Sequence, residues 1–424
     1  MARIVIVGAG IGGVTMAFEM KNIVQSSHEV AVISDASTFN FVPSNPWIPP
    51  RWRRPEDIKV ELAPVMEKKD IAFIHKAASK IDPDNNQVVL GDGSCLSYDY
   101  LILATGPKLA FHEIQGLGPE GFTSAICHVD LAYQAAMEWR KLMDDPGPVI
   151  VGAVQGASCF GPAYEYLMIL ETELRKKKIR DRVPMTFVTS EPYLGHLGLG
   201  GVGDSKGLLE NMLRVNSIKA FTNARVDLIE EGLMHITEIN GNGQETGEVR
   251  LPFKHSMLVP AFCGVDALQG NEKKGLTDDR GFVIVDQYQR NPVYKNIYAV
   301  GVCVSMPPAE ETPVPTGIPK TGYMIESMVA ATACNIQSQL SGRDPSEVPS
   351  LSGLCLADLG YTGAALLAVP QVPPRNMTWT RTGKWVRHLK FAFEKYFLRK
   401  VRKGIGEPYY ERLAMKFMGL VRLK

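Results

Sequence analysis

The chain has 424 residues, enough for two or three hydrophobic cores, since single domains hold roughly 50 to 250 residues. With 45% hydrophobic and 21% charged residues it is an ordinary globular protein, which excludes low-complexity disorder. The formal charge of +1 is unevenly spread: residues 375–424 hold fourteen Lys/Arg against three Asp/Glu, a net +11, so a basic tail follows a body of net charge −10.

The pattern Arg3-Ile4-Val5-Ile6-Val7 already reads as a structural strand, so no secretory leader is expected. A run of about 20 apolar residues, which a membrane-spanning helix needs, is missing. The longest candidate, residues 359–374, is short and broken by glycine and three prolines. Seven cysteines in so long a chain do not suggest a disulfide scaffold, and redox or nucleophilic use becomes the question. No metal site is expected.

In chain order, strand 3–7 runs into Gly8-Ala9-Gly10-Ile11-Gly12-Gly13, then a helical pattern (Val14, Ala17, Phe18, Met20) and a second strand, 29–33. That order is the context a dinucleotide fingerprint requires. Gly8 permits the tight turn, Gly10 lets the backbone approach the diphosphate, and Gly13 allows close helix packing. The helix start offers free N–H groups to the phosphates. At the ribose position stands Ser34, with Asp35 one residue late, which weakens an NAD assignment more than an FAD one. FAD is therefore the expected cofactor, one per chain. Strands 87–90 and 97–103 flank Gly91-Asp92-Gly93 as a hairpin, and the latter runs into Ala104-Thr105-Gly106-Pro107. A second unit begins with strand 149–151, loop 152–156 and helix 162–170, followed by strands 186–189, 282–285 and 296–301. A proline-rich loop, 307–319, precedes a helix from Lys320-Thr321-Gly322 to 333.

The fold class expected is α/β: two tandem Rossmann-like dinucleotide-binding domains plus a C-terminal amphipathic helical segment that docks on a membrane. The division is 1–112 with 286–345 for the FAD domain, 113–285 for the second, and 346–424 for the C-terminal region.

The second glycine loop is degenerate. Val154 stands where the second glycine of G-x-G belongs, and its side chain is expected to obstruct the approach of an NADH diphosphate. A degenerate but working NADH site is the blander alternative. Cys127, Cys159 and Cys355 lie in loop-like or helix-entry contexts, whereas Cys95, Cys263, Cys303 and Cys334 fit patterns of small buried hydrophobes. Cys159 opens a helix, whose N-terminus is expected to lower the thiol pKa.

The stretches Phe41-Val42-Pro43-Ser44-Asn45-Pro46-Trp47, 156–165 and 312–324, together with Cys355, closely resemble the bacterial sulfide:quinone oxidoreductases, within the two-dinucleotide-domain flavoproteins. The resemblance covers essentially the whole chain. It implies that Cys159 and Cys355 form the redox pair bridged through sulfur. Cys127 would be the third cysteine, attached covalently to FAD in some members and assisting polysulfide release in others. Sulfide would open the bridge, leaving a persulfide and a thiolate, with the electrons passing to the flavin. Acid–base partners would be His196 and Glu165. A histidine that some relatives place four residues beyond the first cysteine is Leu131 here, and His128 is a doubtful substitute.

Carried over likewise, Gly8, Gly10 and Gly13 hold the diphosphate, Ser34 the ribose and Ala78 the adenine by its backbone. Thr105 and Gly106 return the chain beside the cofactor. Gly301 matches a late Gly-Asp motif whose aspartate is Val302 here. Lys320 would face the flavin N1 and C2 carbonyl and stabilise the reduced anion.

In the tail, Trp385, Val386, Leu389, Phe393, Tyr396 and Phe397 recur near helical spacing among basic residues, and Leu413, Met415, Phe417, Met418, Leu420 and Val421 follow. This is the composition of a helix lying in a membrane interface; packing on the protein's own core or on another subunit is the alternative. No nucleic-acid module accompanies it. The expected location is peripheral, monotopic, on the cytoplasmic or inner membrane, with the membrane face and any homo-oligomer left open. Quinone, of ubiquinone or menaquinone type, would approach through Phe41, Phe391, Phe393 and Tyr410. Two other functions stay open: a single-subunit NADH:quinone oxidoreductase, which needs neither Cys159 nor Cys355, and a flavoprotein serving only as a membrane or partner binding module.

Overall fold

The computed structural model describes residues 1–407, 411 and 421–423. Strand β1 (Arg3–Val7), helix α1 (Ile11–Val24), β2 (Glu29–Ser34), β3 (Ala72–His75) and β4 (Tyr100–Leu103) build the first unit. Helix α2 (Val129–Asp144) leads to β5 (Val149–Ala153), α3 (Gly161–Lys176), β6 (Met185–Thr189), β7 (Ile218–Phe221) and β8 (His255–Val259). The chain then returns as β9 (Ile297–Ala299) and α4 (Gly322–Leu340). It ends in β10 (Gly353–Asp358), β11 (Gly363–Val369), β12 (Met377–Thr382) and α5 (Lys384–Lys403).

Two parallel sheets carry the molecule. The first has the order β3-β2-β1-β4-β9 and the second β7-β6-β5-β8. Their strands read as unbroken apolar runs because both faces are covered: Ile4, Ile6, Val30 and Val32 join one core, Val5, Val7, Ala31 and Ile33 another. The α/β class with two dinucleotide-type units thus stands. Two local expectations fail. Residues 97–103 are not one strand: Cys95–Ser97 closes the hairpin against Gln87–Leu90, while β4 leaves to pair in parallel with β1. Residues 282–285 form no strand; Val283 makes only single bridges to Thr277 and Val304.

The antiparallel sheet β10-β11-β12 and α5 pack on this frame. Helix α5 buries the series Val386, Lys390, Glu394, Phe397, Leu398 and Val401. Its opposite side exposes Trp385, Leu389, Phe391 and Phe393. Several buried members are charged, and the exposed ones mix these apolar side chains with Lys384, His388, Lys395, Arg399, Arg402 and Lys403. Among the described residues no helix is long and apolar enough to cross a membrane.

A buried charge cluster anchors the far end of α5. Lys400 Nζ lies 3.0 Å from Glu326 Oε1 and 3.1 Å from Glu411 Oε2. Arg422 Nη2 lies 2.9 Å from Glu326 Oε2 and 2.6 Å from Glu411 Oε1. Burial opposes ionisation of Glu326, but Lys400 and Arg422 prevail and hold its pKa below the ordinary value. Removing one cation strands carboxylates out of water. Lys400→Ala should therefore destabilise the protein by about 3 kcal/mol, read from chemical denaturation. Because the folded-state pKa of Glu326 is depressed, its contribution is complete above the ordinary glutamate pKa. It is lost as pH falls through the lower folded value, and acid titration of the same unfolding transition checks that sign.

Candidate functional site

Gly8 has φ +105, and a Cβ there would meet Ala104 O at 2.3 Å; one on Gly13 would meet Gly8 O at 1.9 Å. These two glycines weld β1, α1 and the end of β4 together. Gly10 differs: a Cβ built on it meets nothing within 4 Å, and the same holds for Gly106 after β4. The α1 N-terminus has no side-chain cap and no acidic residue in its first turn. The open backbone and uncapped N–H groups fit the diphosphate of FAD. Ser34 ends β2 with its Oγ accepting Ala36 N–H at 3.2 Å, and Ala78 opens the next hairpin opposite Leu90. Gly301, φ +85, ends the β9 turn against α4, its N–H directed at Met328 Sδ, 3.4 Å. Lys320 precedes the α4 cap Thr321, with Nζ 5.4 Å from the Phe282 ring centroid. Burial lowers its pKa to about 8, and Cys303 beneath it opposes the shift.

The structure gathers Cys127, Cys159 and Cys355, which are separated in sequence by up to the length of both sheets. Cys127 lies just before α2, Cys159 just before α3, and Cys355 inside β10 opposite Leu366, a strand rather than the loop expected. Each is half-buried, yet protein encloses the sulfurs: burial pushes Cys127 and Cys159 up to about 12 and Cys355 to about 11. Cys127, Cys355 and Glu165 add their charges to the effect on Cys159. The expected lowering of the Cys159 pKa is overturned. Cys159 stands two residues before α3, whose first residues include Pro162, and desolvation exceeds any dipole effect. Of the cysteines read as core, Cys303 is buried and Cys263 and Cys334 are half-buried, but Cys95 is exposed at the hairpin edge.

Glu165, on α3, acts on both Cys159 and Cys355. Its carboxylate accepts Asp358 N–H at 2.9 Å and a short bond from Lys390 Nζ. Burial raises its pKa and Lys390 opposes the rise. Lys390 escaped notice in the sequence as one of many tail lysines. Its place in the stripe of Val386, Glu394 and Val401 was the available signal that it faces inward. His196 is placed elsewhere: Nε2 bonds Glu310 Oε1 at 2.6 Å, and Nδ1 accepts Gly198 N–H at 3.2 Å. Burial lowers its pKa against the pull of Glu310, and it is not among the groups acting on the three thiols. His128 is an exposed α2 cap accepting Asp130 N–H, a role that explains it without chemistry.

The second glycine loop is closed, though not as expected. Val154 does not stand in the cleft; it is buried with Ile150, Val188 and Leu258 under the sheet. Closure comes from the proline-rich segment, where Pro315 O accepts Gly156 N–H at 2.7 Å and Gly317 N–H reaches Ala157 O at 2.8 Å. A Cβ on Gly317 would meet Ser158 Cβ at 2.7 Å. Just beyond β6, Glu191 turns inward to Tyr164 Oη (2.7 Å), Thr189 Oγ1 (2.9 Å) and Leu197 N (2.7 Å).

Phe41 is buried against Phe393 (centroids 5.9 Å) and Phe397 (5.4 Å), with Phe39 behind Phe397 at 5.8 Å. Phe391 is separate from this cluster and stacks on Arg53 at 4.6 Å. Tyr410 lies outside the described residues, as do Leu413, Met415, Phe417, Met418 and Leu420.

Residues 2–161 match the family model described as pyridine nucleotide-disulphide oxidoreductase. The sulfide-quinone reductase of Aquifex aeolicus is 42% identical over 414 residues, 98% of this chain and 94% of its own. The crystal structure of the sulfide:quinone oxidoreductase from that bacterium superposes with a TM-score of 0.95 at 40% identity, covering 100% of this chain and 96% of that one. The mitochondrial sulfide:quinone oxidoreductase of Mus musculus is 23% identical over 72% of this chain and 66% of its own. The likeness in sequence extends over nearly the whole chain, and the superposition covers all of it. The chain belongs to the sulfide-quinone reductase family.

Proposed function

We propose that this protein oxidises hydrogen sulfide to polysulfide or elemental sulfur through Cys159 and Cys355, with FAD as cofactor and membrane quinone as electron acceptor. The observation that carries this reading is the convergence of Cys127, Cys159, Cys355 and Glu165 from three separate segments. An NADH:quinone reductase would not need that cluster, and the diphosphate cradle it would need is covered by residues 315–317.

Hydrosulfide attacks one sulfur of a Cys159–Cys355 bridge, so one S–S bond forms as one breaks. A persulfide is left on one cysteine and a thiolate on the other. Buried thiols with raised pKa values need a nearby proton acceptor, and Glu165, itself raised by burial, fills that role while Lys390 limits the rise. Cys127 receives or releases the growing sulfur chain. Bound FAD supplies the two-electron acceptor when the bridge re-forms and the donor for quinone. Gly8, Gly10 and Gly13 hold its diphosphate; Thr105, Gly106 and Gly301 line its approach, and Lys320 offers a positive charge beside them. Phe41 and Phe393 form the quinone contact at α5. The exposed aromatic side of α5 docks the protein on a bilayer surface as a peripheral enzyme.

Anaerobic mixing tests the reading. Sulfide should bleach the bound flavin and added quinone should restore it, whereas NADH should leave it oxidised; bleaching by NADH and not by sulfide refutes the assignment. Cys159→Ala and Cys355→Ala should each keep FAD but slow sulfide-driven bleaching by about a thousandfold or more. Lys320→Met removes a charge beside the reduced cofactor. Potentiometry should then show the two-electron potential of bound FAD lowered by roughly 30 to 60 mV.

A further inference from the structure

Beside the exposed aromatic side of α5 lies an open cleft of about 510 Å³, lined by Arg53, Asp57, Phe391, Glu394, Lys395 and Arg402 among others. Its two carboxylates are already engaged. Glu394 accepts Arg53 Nε at 2.8 and 3.1 Å and the Ser44 hydroxyl at 2.5 Å, and Asp57 pairs with Arg54 at 3.1 Å. Two of the three cations are not matched. Neither Lys395 nor Arg402 has a carboxylate partner among the described residues, and Arg53 Nη2 has no hydrogen-bond acceptor. The Arg53 guanidinium is held flat between Trp47, at 4.9 Å, and Phe391, at 4.6 Å, while Lys395 Nζ lies 4.3 Å from the Phe391 ring centroid. Lys395 and Arg402 are two helical turns apart and so share one side of α5, about 10 Å from each other along the axis.

The surrounding surface adds charge that the tail alone does not supply. Arg51 and Arg54 are exposed beside the cleft, and Lys176 and Arg387 both lie over the Trp52 ring, at 5.1 and 4.4 Å. Segments around residues 53, 176 and 395 therefore converge on one basic face. Exposed Phe391 lines the cleft itself, and Trp385, Leu389 and Phe393 are exposed on the same helix. Aromatic side chains at interfacial depth with cations just above them match the layering of acyl chain and headgroup in a leaflet.

We propose that this cleft binds the phosphate of an anionic phospholipid, with Lys395 and Arg402 as its ligands and Arg53 as its fixed floor. This rests on the reading that α5 faces the bilayer, and it gives the docked protein one orientation. Free phosphate would satisfy the cations and leave the aromatic row uncovered; a lipid covers both.

The test is co-sedimentation of the FAD-loaded full chain with vesicles of phosphatidylcholine alone and of phosphatidylcholine mixed with phosphatidylglycerol. The double variant Lys395→Gln, Arg402→Gln should lose affinity for the mixed vesicles by about thirtyfold, keep its weaker binding to phosphatidylcholine, and retain sulfide-driven bleaching. Lys219→Gln, Lys273→Gln removes the same charge from other surfaces and should change binding by less than about threefold. Equal losses in both variants would mean diffuse charge attraction and overturn the cleft. Release of the wild type by inorganic phosphate, at ionic strength held constant with chloride, would assign the cleft to free phosphate instead. Wild type that sediments with neither vesicle would remove the membrane reading along with the proposal, whereas binding to both without preference would remove the proposal alone.

Discussion

Helix α5 is held to the body by charges that water cannot reach. Lys390 meets Glu165, Glu394 meets Arg53 and Ser44, and Lys400 meets Glu326, each from the same side of one helix. A buried ion left alone costs several kcal/mol, so each pair forms only at one rotation and one register of the helix. Apolar packing would tolerate sliding; matched charges do not. With these charges and Val386, Phe397, Leu398 and Val401 facing inward, Trp385, Leu389, Phe391 and Phe393 are among the side chains left exposed. The apolar surface that α5 leaves exposed is thus tied to where the buried charges sit.

The same constraint joins the two halves of the chemistry. Glu165 belongs to the helix that follows Cys159, and its partner Lys390 belongs to the helix that carries Phe393. Any movement of α5 that separates Lys390 from Glu165 changes the charge beside Cys159 and Cys355. In the proposed mechanism, sulfur oxidation and quinone reduction therefore share one support.

The two glycine loops show how one architecture is opened in one place and shut in another. Around Gly10 the backbone faces open space, and the helix beyond it has no side-chain cap. Around Gly156 the corresponding backbone donates to the proline-rich segment, and Glu191 turns into the core rather than towards a ribose. Proline suits that segment because its fixed φ limits the freedom lost when the loop lies over its neighbour. A phosphate-binding turn has become a structural joint.

Local chemistry was legible in the sequence wherever neighbours along the chain decide the outcome. The Gly8–Gly10–Gly13 turn is such a case: strand period, glycine spacing and helix start are all local, and the structure reproduces them. The apolar runs of β1 and β2 announced a sheet covered on both faces, and the 14-to-3 charge balance of the tail marked a region apart. Decisions between distant residues were out of reach. Nothing local assigns Ser97 and Tyr100 to different sheets, turns Val154 into the core, or brings Pro315 onto Gly156. The helix-end argument for Cys159 named a true local effect and missed the larger one, because desolvation depends on everything that surrounds a sulfur. Sequence alone determined the units, the open nucleotide turn and, through resemblance, the family. Tertiary structure decided which charges are buried, and hence which side chains of α5 are left exposed.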